Sequence, residues 1–238
     1  MSAAGLRLPR LKPREIIAAA NHAATTDLAA DTALTEALER YIESAETDAN
    51  LNTFGRLAVK NMLVGALTSR FALEGWHQQR PELQLETIDQ PWIVIGLPRT
   101  GTSILSILLG LDPFNRALLQ WEAQHPVPPS TLANAEEDPR IAEHAKTVAQ
   151  MHKINPAISS MHPFGSTLAE ECTAVFTYSL RTIGMETIAF TPSYGHWLDA
   201  ADATPAYQIH RKMLQALQQA QPTPHWVMKS PNHLWNLP

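Results

Sequence analysis

The sequence is poor in cysteine, because Cys172 is the only one among 238 residues. A single thiol cannot form an internal disulfide and has no second thiolate with which to build a metal site, so a reducing compartment is expected. Residues 1–20 are interrupted by arginine, lysine and proline and contain no long apolar run. This stretch predicts neither a signal peptide nor a membrane-spanning helix, and a cytoplasmic location is the expectation.

Positive charge and metal-binding motifs are also scarce. The chain has 18 lysine and arginine residues against 23 aspartate and glutamate residues, which gives a formal net charge of −5. Such a chain has no general attraction for nucleic acid or for an anionic membrane, so an anionic ligand must be held by a local cluster of donors. The 10 histidines form no His-Glu-x-x-His pattern, and no Cys-x-x-Cys pattern occurs. We therefore predict no metal site and no nucleic-acid partner.

The sequence does contain a strand, a glycine loop and a helix in immediate succession. Residues 92–95 are apolar and rich in β-branched side chains, which predicts a strand buried on both faces, as in a parallel sheet. Residues 96–101 begin and end with glycine, and a strongly apolar helix is predicted to follow them and to stop near Gly110. This order of elements directs unpaired backbone N–H groups and the positive end of a helix dipole at a bound anion.

The loop has the spacing of a phosphate loop but not its lysine. Four residues separate Gly96 from Gly101, as in the motif G-x-x-x-x-G-K-[ST], yet Thr102 stands at the position of the lysine. A triphosphate-hydrolysing protein uses that lysine to reach the β and γ phosphates. Arg99 is the charged residue of the loop that remains to replace this lysine. Its planar guanidinium can bind a phosphate or sulfate group through two hydrogen bonds. A strand-to-helix turn without a ligand is the alternative interpretation.

The loop resembles the phosphosulfate loop of the sulfotransferase family, which reads P-[KR]-x-G-T-[TS]. The matching residues are Pro98, Arg99, Thr100, Gly101, Thr102 and Ser103. The resemblance implies an α/β, P-loop-like three-layer fold with a parallel sheet. It also implies transfer of a sulfuryl group from 3′-phosphoadenosine 5′-phosphosulfate (PAPS) to a hydroxyl or amine, without a metal. The six matching residues are then expected to bind PAPS.

Further segments resemble the bacterial form of the same family. They are a His-Pro turn at residues 162–163, a Glu-Glu-Cys triplet at residues 170–172, a Tyr-x-x-Trp-Leu segment at residues 194–198 and a Lys-Ser-Pro-x-His string at residues 229–233. The last string ends a predicted strand over residues 226–229, and its serine and proline are suited to begin a helix. In an open parallel sheet, sites form where strand ends meet helix starts, so this junction and the loop are expected to face one crevice.

Sulfuryl transfer needs donors for the charge on the transferring group and on the leaving phosphate, and a base for the acceptor hydroxyl. Arg99 and the backbone N–H groups of the loop are expected to supply the donors, and Lys229 is expected to hold the sulfuryl oxygens. His233 is the first candidate for the base, because an unperturbed imidazole titrates near neutrality and this one is expected at the mouth of the crevice. Glu171 is the second candidate and Glu170 the third, and a solvated helix start is the alternative interpretation of both carboxylates.

Helical periodicity dominates the N-terminal part of the chain. Apolar residues recur at three- and four-residue steps over residues 13–44 and 52–73, and Asp31 is placed to begin a helix. We expect a helical N-terminal lobe over residues 1–85 and the sulfotransferase-like α/β domain over residues 86–238.

Further elements are predicted within the second of these domains. A short strand is expected over residues 117–122, and helices over residues 136–154, 170–180 and 204–220.

The resemblance covers residues 90–238 and departs from the family at its end. Family members continue into a further strand, an Arg-Asp-Pro-like turn and a serine that hold the 3′-phosphate of the donor. The sheet is therefore expected to be incomplete and the isolated chain to be a weak catalyst. An exposed sheet edge and apolar surface beside residues 226–229 are expected to favour self-association.

The acceptor is expected to be a small or lipid-like molecule, because the sequence has no basic run that seats a polyanion. Two other functions stay open from the sequence. One is a P-loop nucleotide-binding or kinase-like protein with Mg²⁺ and a triphosphate, which fits the loop spacing but lacks the lysine. The other is a non-catalytic fragment whose fold is completed by another chain.

Overall fold

A computed structural model of the protein describes residues 10–157 and 163–237. The chain divides into two compact units, each drawn from two stretches of sequence. The first unit comes from Met1–Gly75 and Val175–His210, and the second from Trp76–Ala174 and Arg211–Pro238. The domain boundary after residue 85 stays a prediction.

Helices account for most of the described elements. In chain order they are α1 (Pro13–Ala24), α2 (Thr32–Thr47), α3 (Thr53–Gln78), α4 (Thr102–Gly110), α5 (Gln120–Gln124), α6 (Pro139–Ile154), α7 (Cys172–Phe176), α8 (Pro192–Leu198) and α9 (Thr204–Ala220). The strands are β1 (Trp92–Val94), β2 (Asn115–Ala117) and β3 (His225–Lys229). The helix predicted over residues 204–220 is confirmed as α9. The one predicted over residues 136–154 is confirmed as α6 but begins later, at Pro139, because Asp138 is its N-cap. Among the residues that the structure describes, no helix is both long enough and apolar enough to span a bilayer.

The first unit has a helical core of its own. Leu63 of α3 and Tyr41 of α2 are fully buried, and the ring of Tyr41 packs edge-on against that of Tyr194 in α8, with centroids 5.2 Å apart. The Tyr41 hydroxyl donates to the carbonyl of Met185 at 3.2 Å, and the Tyr194 hydroxyl donates to that of Leu180 at 2.7 Å. The aromatic pair therefore buries its apolar area without leaving either phenol unsatisfied.

A buried arginine joins the start of α2 to α3 in this unit. The guanidinium of Arg70 donates to a carboxylate oxygen of Asp31 at 2.6 Å and to one of Glu74 at 3.1 Å. Asp31 also accepts a hydrogen bond from the backbone N–H of Leu34 at 2.7 Å, which confirms the predicted start of α2 at this aspartate. The two carboxylates offset the cost of burying the arginine charge.

The second unit contains a three-stranded parallel sheet in the order β1-β3-β2. Trp92 pairs with Val227 in one ladder and Asn115 with His225 in the other. The strand predicted over residues 226–229 is confirmed as β3, whose last four residues are buried. Because β3 has a neighbour on both sides, it is not itself an edge strand. In the described part of the chain the edges of this sheet are β1 and β2.

β1 and α4 expose apolar side chains that the sequence pattern predicts to be buried. Trp92 in β1 is 47% exposed and Ile104 in α4 is 67% exposed. The strand and the helix end at Gly110 are confirmed in position, but burial of the strand on both faces is wrong. Among the described residues β1 is an edge of the sheet with β3 as its hydrogen-bonded neighbour, and its first two side chains are exposed. Exposed apolar surface favours association, and self-association stays a prediction.

The second predicted strand is shorter than expected and is followed by a helix. β2 ends at Ala117, whereas Gln120–Gln124 form α5, so a strand through residue 122 is wrong. Glu122 explains the change, because its carboxylate accepts a hydrogen bond from the backbone N–H of Leu119 at 3.1 Å and caps the helix. The same carboxylate accepts a hydrogen bond from Arg116 at 2.6 Å, which holds it in place.

Leu63 and Leu57 allow a matched test of the core of the first unit, because both lie on α3. Leu63 is fully buried and Leu57 is 45% exposed. We expect Leu63→Ala to lower the free energy of unfolding by about 2–5 kcal/mol, since it removes buried methyl groups and leaves a cavity. Leu57→Ala should change it by less than about 1 kcal/mol. Urea denaturation followed by circular dichroism measures both values, and equal losses would contradict this packing.

Candidate functional site

The loop between β1 and α4 is tight, and two of its residues have left-handed backbone conformations. Gly101 has a φ of 88° and Arg99 a φ of 68°. Gly96 has no room for a side chain, since a Cβ there would lie 2.7 Å from the side chain of Thr102. The hydroxyl of Thr100 donates to a carbonyl within the loop at 2.6 Å. The backbone path therefore requires both glycines of the motif.

The loop presents the N-terminus of α4 at the surface. The N-cap residue of α4 is Gly101, and no side chain in the described ranges caps the helix. The first N–H groups of a helix have no acceptor within it, and the helix dipole adds partial positive charge at that end. Arg99, two residues before the cap, is exposed. This arrangement suits a phosphate or sulfate group.

Lys229, the last residue of β3, reaches the first turn of α4. Its Nζ lies 3.0 Å from Oγ of Ser103, and its ammonium forms an ion pair with the carboxylate of Glu171. Lys229 is only 6% exposed, and a buried ammonium is stable only with such partners. The two strand-to-helix junctions that the sequence predicts at one crevice are thus in direct contact.

Glu170 and Glu171 lie just before α7 and outside any helix. The helix predicted to contain them begins only at Cys172, because the preceding segment is extended and the N–H of Glu170 donates to the carbonyl of Leu118 at 2.7 Å. Both glutamates are half-buried, so the interpretation of them as solvated side chains at a helix start is wrong. Burial raises the pKa of Glu170 to about 7, which outweighs the hydrogen bond from Glu171 and the charge of Lys229.

Thr173 belongs to this cluster, although no sequence pattern indicates it. Its hydroxyl lies 2.8 Å from that of Ser230 and 3.3 Å from Oδ1 of Asn232, the residues that follow β3. The sequence offers only a hydroxyl side chain two positions after Glu171, and such residues are common in loops. Cys172 lies between them and is buried, and burial raises the pKa of its thiol to about 12. This thiol is therefore not a nucleophile at neutral pH.

His233 is buried and does not line a solvent-open mouth. It lies on the 3₁₀ helix Pro231–Asn236 and is 4% exposed, so its expected position is wrong. Burial lowers the pKa of its imidazole, which is therefore neutral at pH 7. The helix begins as predicted, since the hydroxyl of Ser230 accepts a hydrogen bond from the backbone N–H of Asn232 at 3.1 Å. A role for His233 as a base stays a prediction.

The other family-like segments lie outside this cluster or outside the described residues. Tyr194 and Trp197 are on α8, where Tyr194 is part of the core of the first unit. His162 of the predicted His-Pro turn is not among the described residues. Within residues 10–157 and 163–237, no group of three or more histidine, cysteine, aspartate or glutamate side chains is placed to hold a metal ion.

Comparisons with known proteins point to the same family as the loop. The sequence profile of the sulfotransferase family matches residues 91–238. The fold is similar to that of the sulfotransferase STF1 from Mycobacterium tuberculosis, with 32% sequence identity and a TM-score of 0.84 over 95% of this chain and 62% of that one. It is also similar to the sulfotransferase STF9 from Mycobacterium avium, with 25% identity and a TM-score of 0.80 over 98% of this chain and 59% of that one. A search of curated protein sequences finds no match.

The protein therefore has an α/β, P-loop-like fold that is rich in helix and contains a parallel sheet. The chain belongs to the sulfotransferase family, which confirms the resemblance seen in the loop. It spans 62% and 59% of the lengths of the two solved sulfotransferases. These matches do not favour the kinase-like alternative.

Glu170→Gln should change how stability depends on pH. The ordinary pKa of a glutamate is 4.5, so the folded state, with its raised pKa of about 7, binds the proton more tightly than the unfolded state. The resulting stabilisation is complete below pH 4.5 and is lost as the pH rises through about 7. Wild-type protein should therefore lose more stability between about pH 5 and about pH 8 than Glu170→Gln, whose amide has no proton to lose. Thermal midpoints of both proteins across this range measure the effect, and parallel curves would exclude a buried, protonated Glu170.

Proposed function

We propose that the protein is a cytoplasmic, metal-independent enzyme that transfers a sulfuryl group from PAPS to a hydroxyl or amine of a small or lipid-like acceptor. The observation that carries the proposal is the 3.0 Å contact between Nζ of Lys229 and Oγ of Ser103. It places a buried cation at the helix N-terminus that follows the phosphosulfate-type loop. Membership of the sulfotransferase family supports the same class of reaction.

The loop residues form a donor set that fits a phosphosulfate. The residues proposed to hold PAPS are Pro98, Arg99, Thr100, Gly101, Thr102 and Ser103. The backbone N–H groups at the start of α4, the hydroxyls of Thr102 and Ser103 and the guanidinium of Arg99 are all groups that can donate hydrogen bonds to a bound anion. PAPS, when bound, supplies the activated sulfuryl group. In a chain with a net charge of −5, this local donor set is what attracts the anion.

Arg99 and Lys229 are proposed to stabilise the charge that develops during transfer. Negative charge would grow on the oxygen between the sulfuryl group and the leaving phosphate, and a buried cation held in one place, such as Lys229, stabilises such charge strongly. Lys229 is held between Ser103 and Glu171, so its ammonium keeps one position as the charge grows. Arg99 contributes its planar guanidinium from inside the loop.

The base that accepts the proton of the acceptor hydroxyl is proposed to be Glu171. Its ion pair with Lys229 places a carboxylate next to the loop, whereas His233 is buried on the helix after β3. His233 is the second candidate, because a neutral imidazole carries one unprotonated ring nitrogen, which is the atom that accepts a proton. Glu170 is the third. Its raised pKa of about 7 suits a general base, but the carboxylate that the ion pair with Lys229 brings to the loop is that of Glu171.

The acceptor class follows from charge. The net charge of −5 and the absence of a basic run in the sequence disfavour a sulfated polymer and favour a small or lipid-like acceptor. A non-catalytic role, in which another chain completes the fold, stays the alternative. The two hypotheses can be distinguished by experiment. A non-catalytic protein would bind the donor product, 3′-phosphoadenosine 5′-phosphate, but would not turn over PAPS.

Replacing Arg99 tests the donor site. We expect Arg99→Ala to weaken binding of 3′-phosphoadenosine 5′-phosphate, the donor product, by about 10- to 100-fold, the scale of one charge-assisted hydrogen bond. Isothermal titration in buffer with EDTA measures the affinity without metal. Arg14→Ala, which removes an exposed arginine on α1, is the matched control and should bind like wild type. Equal affinity of Arg99→Ala and wild type would mean that the loop is only a turn. Tighter binding of ATP with Mg²⁺ would point to a nucleotide-triphosphate site.

Two substitutions distinguish the candidate bases. In an active preparation of the whole protein, we expect Glu171→Gln to lower kcat by about 10²- to 10⁴-fold, the usual contribution of a general base. The rate of the wild-type enzyme should decrease at low pH, because the base is then protonated. The residual activity of Glu171→Gln should not show this decrease, whereas the activity of His233→Gln should. If the decrease at low pH is lost in His233→Gln and kept in Glu171→Gln, the base is His233. If both variants keep the decrease, neither residue is the base.

A further inference from the structure

Two side-chain contacts join the segment before and within α7 to the end of β3. The first is the ion pair between Glu171 and Lys229. The second is the 2.8 Å contact between the hydroxyls of Thr173 and Ser230. Ser230 directly follows Lys229, and Thr173 lies two residues after Glu171. The hydroxyl contact therefore fixes the backbone immediately next to the ion pair on both segments.

The hydroxyl contact is part of a closed network with Asn232. Oδ1 of Asn232 lies 3.3 Å from Oγ1 of Thr173 and 3.3 Å from Oγ of Ser230. The backbone N–H of Asn232 donates to Oγ of Ser230 at 3.1 Å. Each hydroxyl has one proton, so Ser230 can donate to Thr173 and Thr173 to the amide oxygen, or the chain can run the other way. Both directions satisfy all the groups, and Ser230 is fully buried, so a missing partner there is costly.

A lysine side chain is a flexible four-carbon stem, so its own conformation does not fix where the ammonium lies. The position of the ammonium depends on two things, the partners of Nζ and the position of the Cα of Lys229. Ser230 fixes the Cα side, since it directly follows β3 and is the N-cap of the following 3₁₀ helix. Thr173 is the partner that holds Ser230 from the side of Glu171.

From these contacts we propose that Thr173 is a positioning residue. Through Ser230, it holds Lys229 in contact with Ser103 and the phosphosulfate loop. The proposal rests on the proposed function, in which Lys229 contacts the transferring group. Thr173 itself takes no part in the chemistry.

The test compares three substitutions of threonine. Thr173→Val removes the hydroxyl and keeps the branched shape, and Thr173→Ser restores the hydroxyl. Thr223→Val is the matched control, because the hydroxyl of Thr223 donates to the carbonyl of His225 at 3.1 Å, at the opposite end of β3. Thr173→Ala replaces Thr173→Val if the valine variant does not fold. Circular dichroism and thermal midpoints establish that each variant is folded.

The first measurement needs no ligand. Limited acetylation with acetic anhydride, followed by peptide mass spectrometry, gives the reaction rate of each lysine. We expect Lys229 to react about fivefold faster in Thr173→Val, since an amine that leaves its partners becomes accessible. The rate should be that of wild type in Thr173→Ser and Thr223→Val, and exposed Lys153 is the internal reference. An unchanged Lys229 rate in folded Thr173→Val would overturn the proposal.

The second measurement is titration with 3′-phosphoadenosine 5′-phosphate. We expect Thr173→Val to weaken binding about tenfold, the scale of one hydrogen bond, and Thr173→Ser to restore it. In a Lys229→Ala background, Thr173→Val should have no further effect, because its action passes through the lysine. Additive losses would show a merely structural role and overturn the proposal. If wild type does not bind this nucleotide, the proposed function fails, while the lysine rates still decide the role of Thr173.

Discussion

A buried ammonium group needs partners, and the site in the second unit is arranged around that requirement. Lys229 ends the central strand of the sheet, where it is 6% exposed. Its two partners come from distant parts of the sequence, Ser103 from the first turn of α4 and Glu171 from the segment before α7. The lysine is stable in this position only when all three elements are assembled. The contact thus links formation of the sheet to formation of the loop between β1 and α4.

The loop adds a second constraint, which acts on the backbone. Positive φ angles at Arg99 and Gly101 and the missing side chain of Gly96 turn the chain sharply from β1 into α4. An arginine with positive φ is strained relative to a glycine. This conformation places the arginine on the loop itself, two residues before the N-cap of α4. A strained position that carries the only charge of the motif is consistent with a role in binding rather than in folding.

Local signals predicted the parts of the fold that depend on local structure. The glycine spacing and the apolar run of the strand placed the loop, and proline at an N-terminal position placed α6 and α9. Burial depends on what packs against an element, which a local apolar pattern does not reveal. For this reason β1 was predicted to be a buried strand, whereas in the structure it is an exposed edge. Glu170 was assigned to a helix because its pairing with Leu118 is 52 residues distant in sequence. Thr173 was missed for the same reason, since its partner Ser230 is 57 residues away.

Burial also determines which charges the site carries at neutral pH. It raises the pKa of Glu170 to about 7 and lowers that of His233, so both groups are shifted towards their neutral forms. Lys229 and Glu171 compensate each other, which leaves Arg99 and the dipole of α4 as a net positive field at the loop. An ammonium has three N–H donors, and within the described residues Ser103 and Glu171 account for two of them. A third donor is sufficient for the sulfuryl oxygen that Lys229 is proposed to hold, so that proposed role requires neither of the contacts that keep the ammonium in place to be broken.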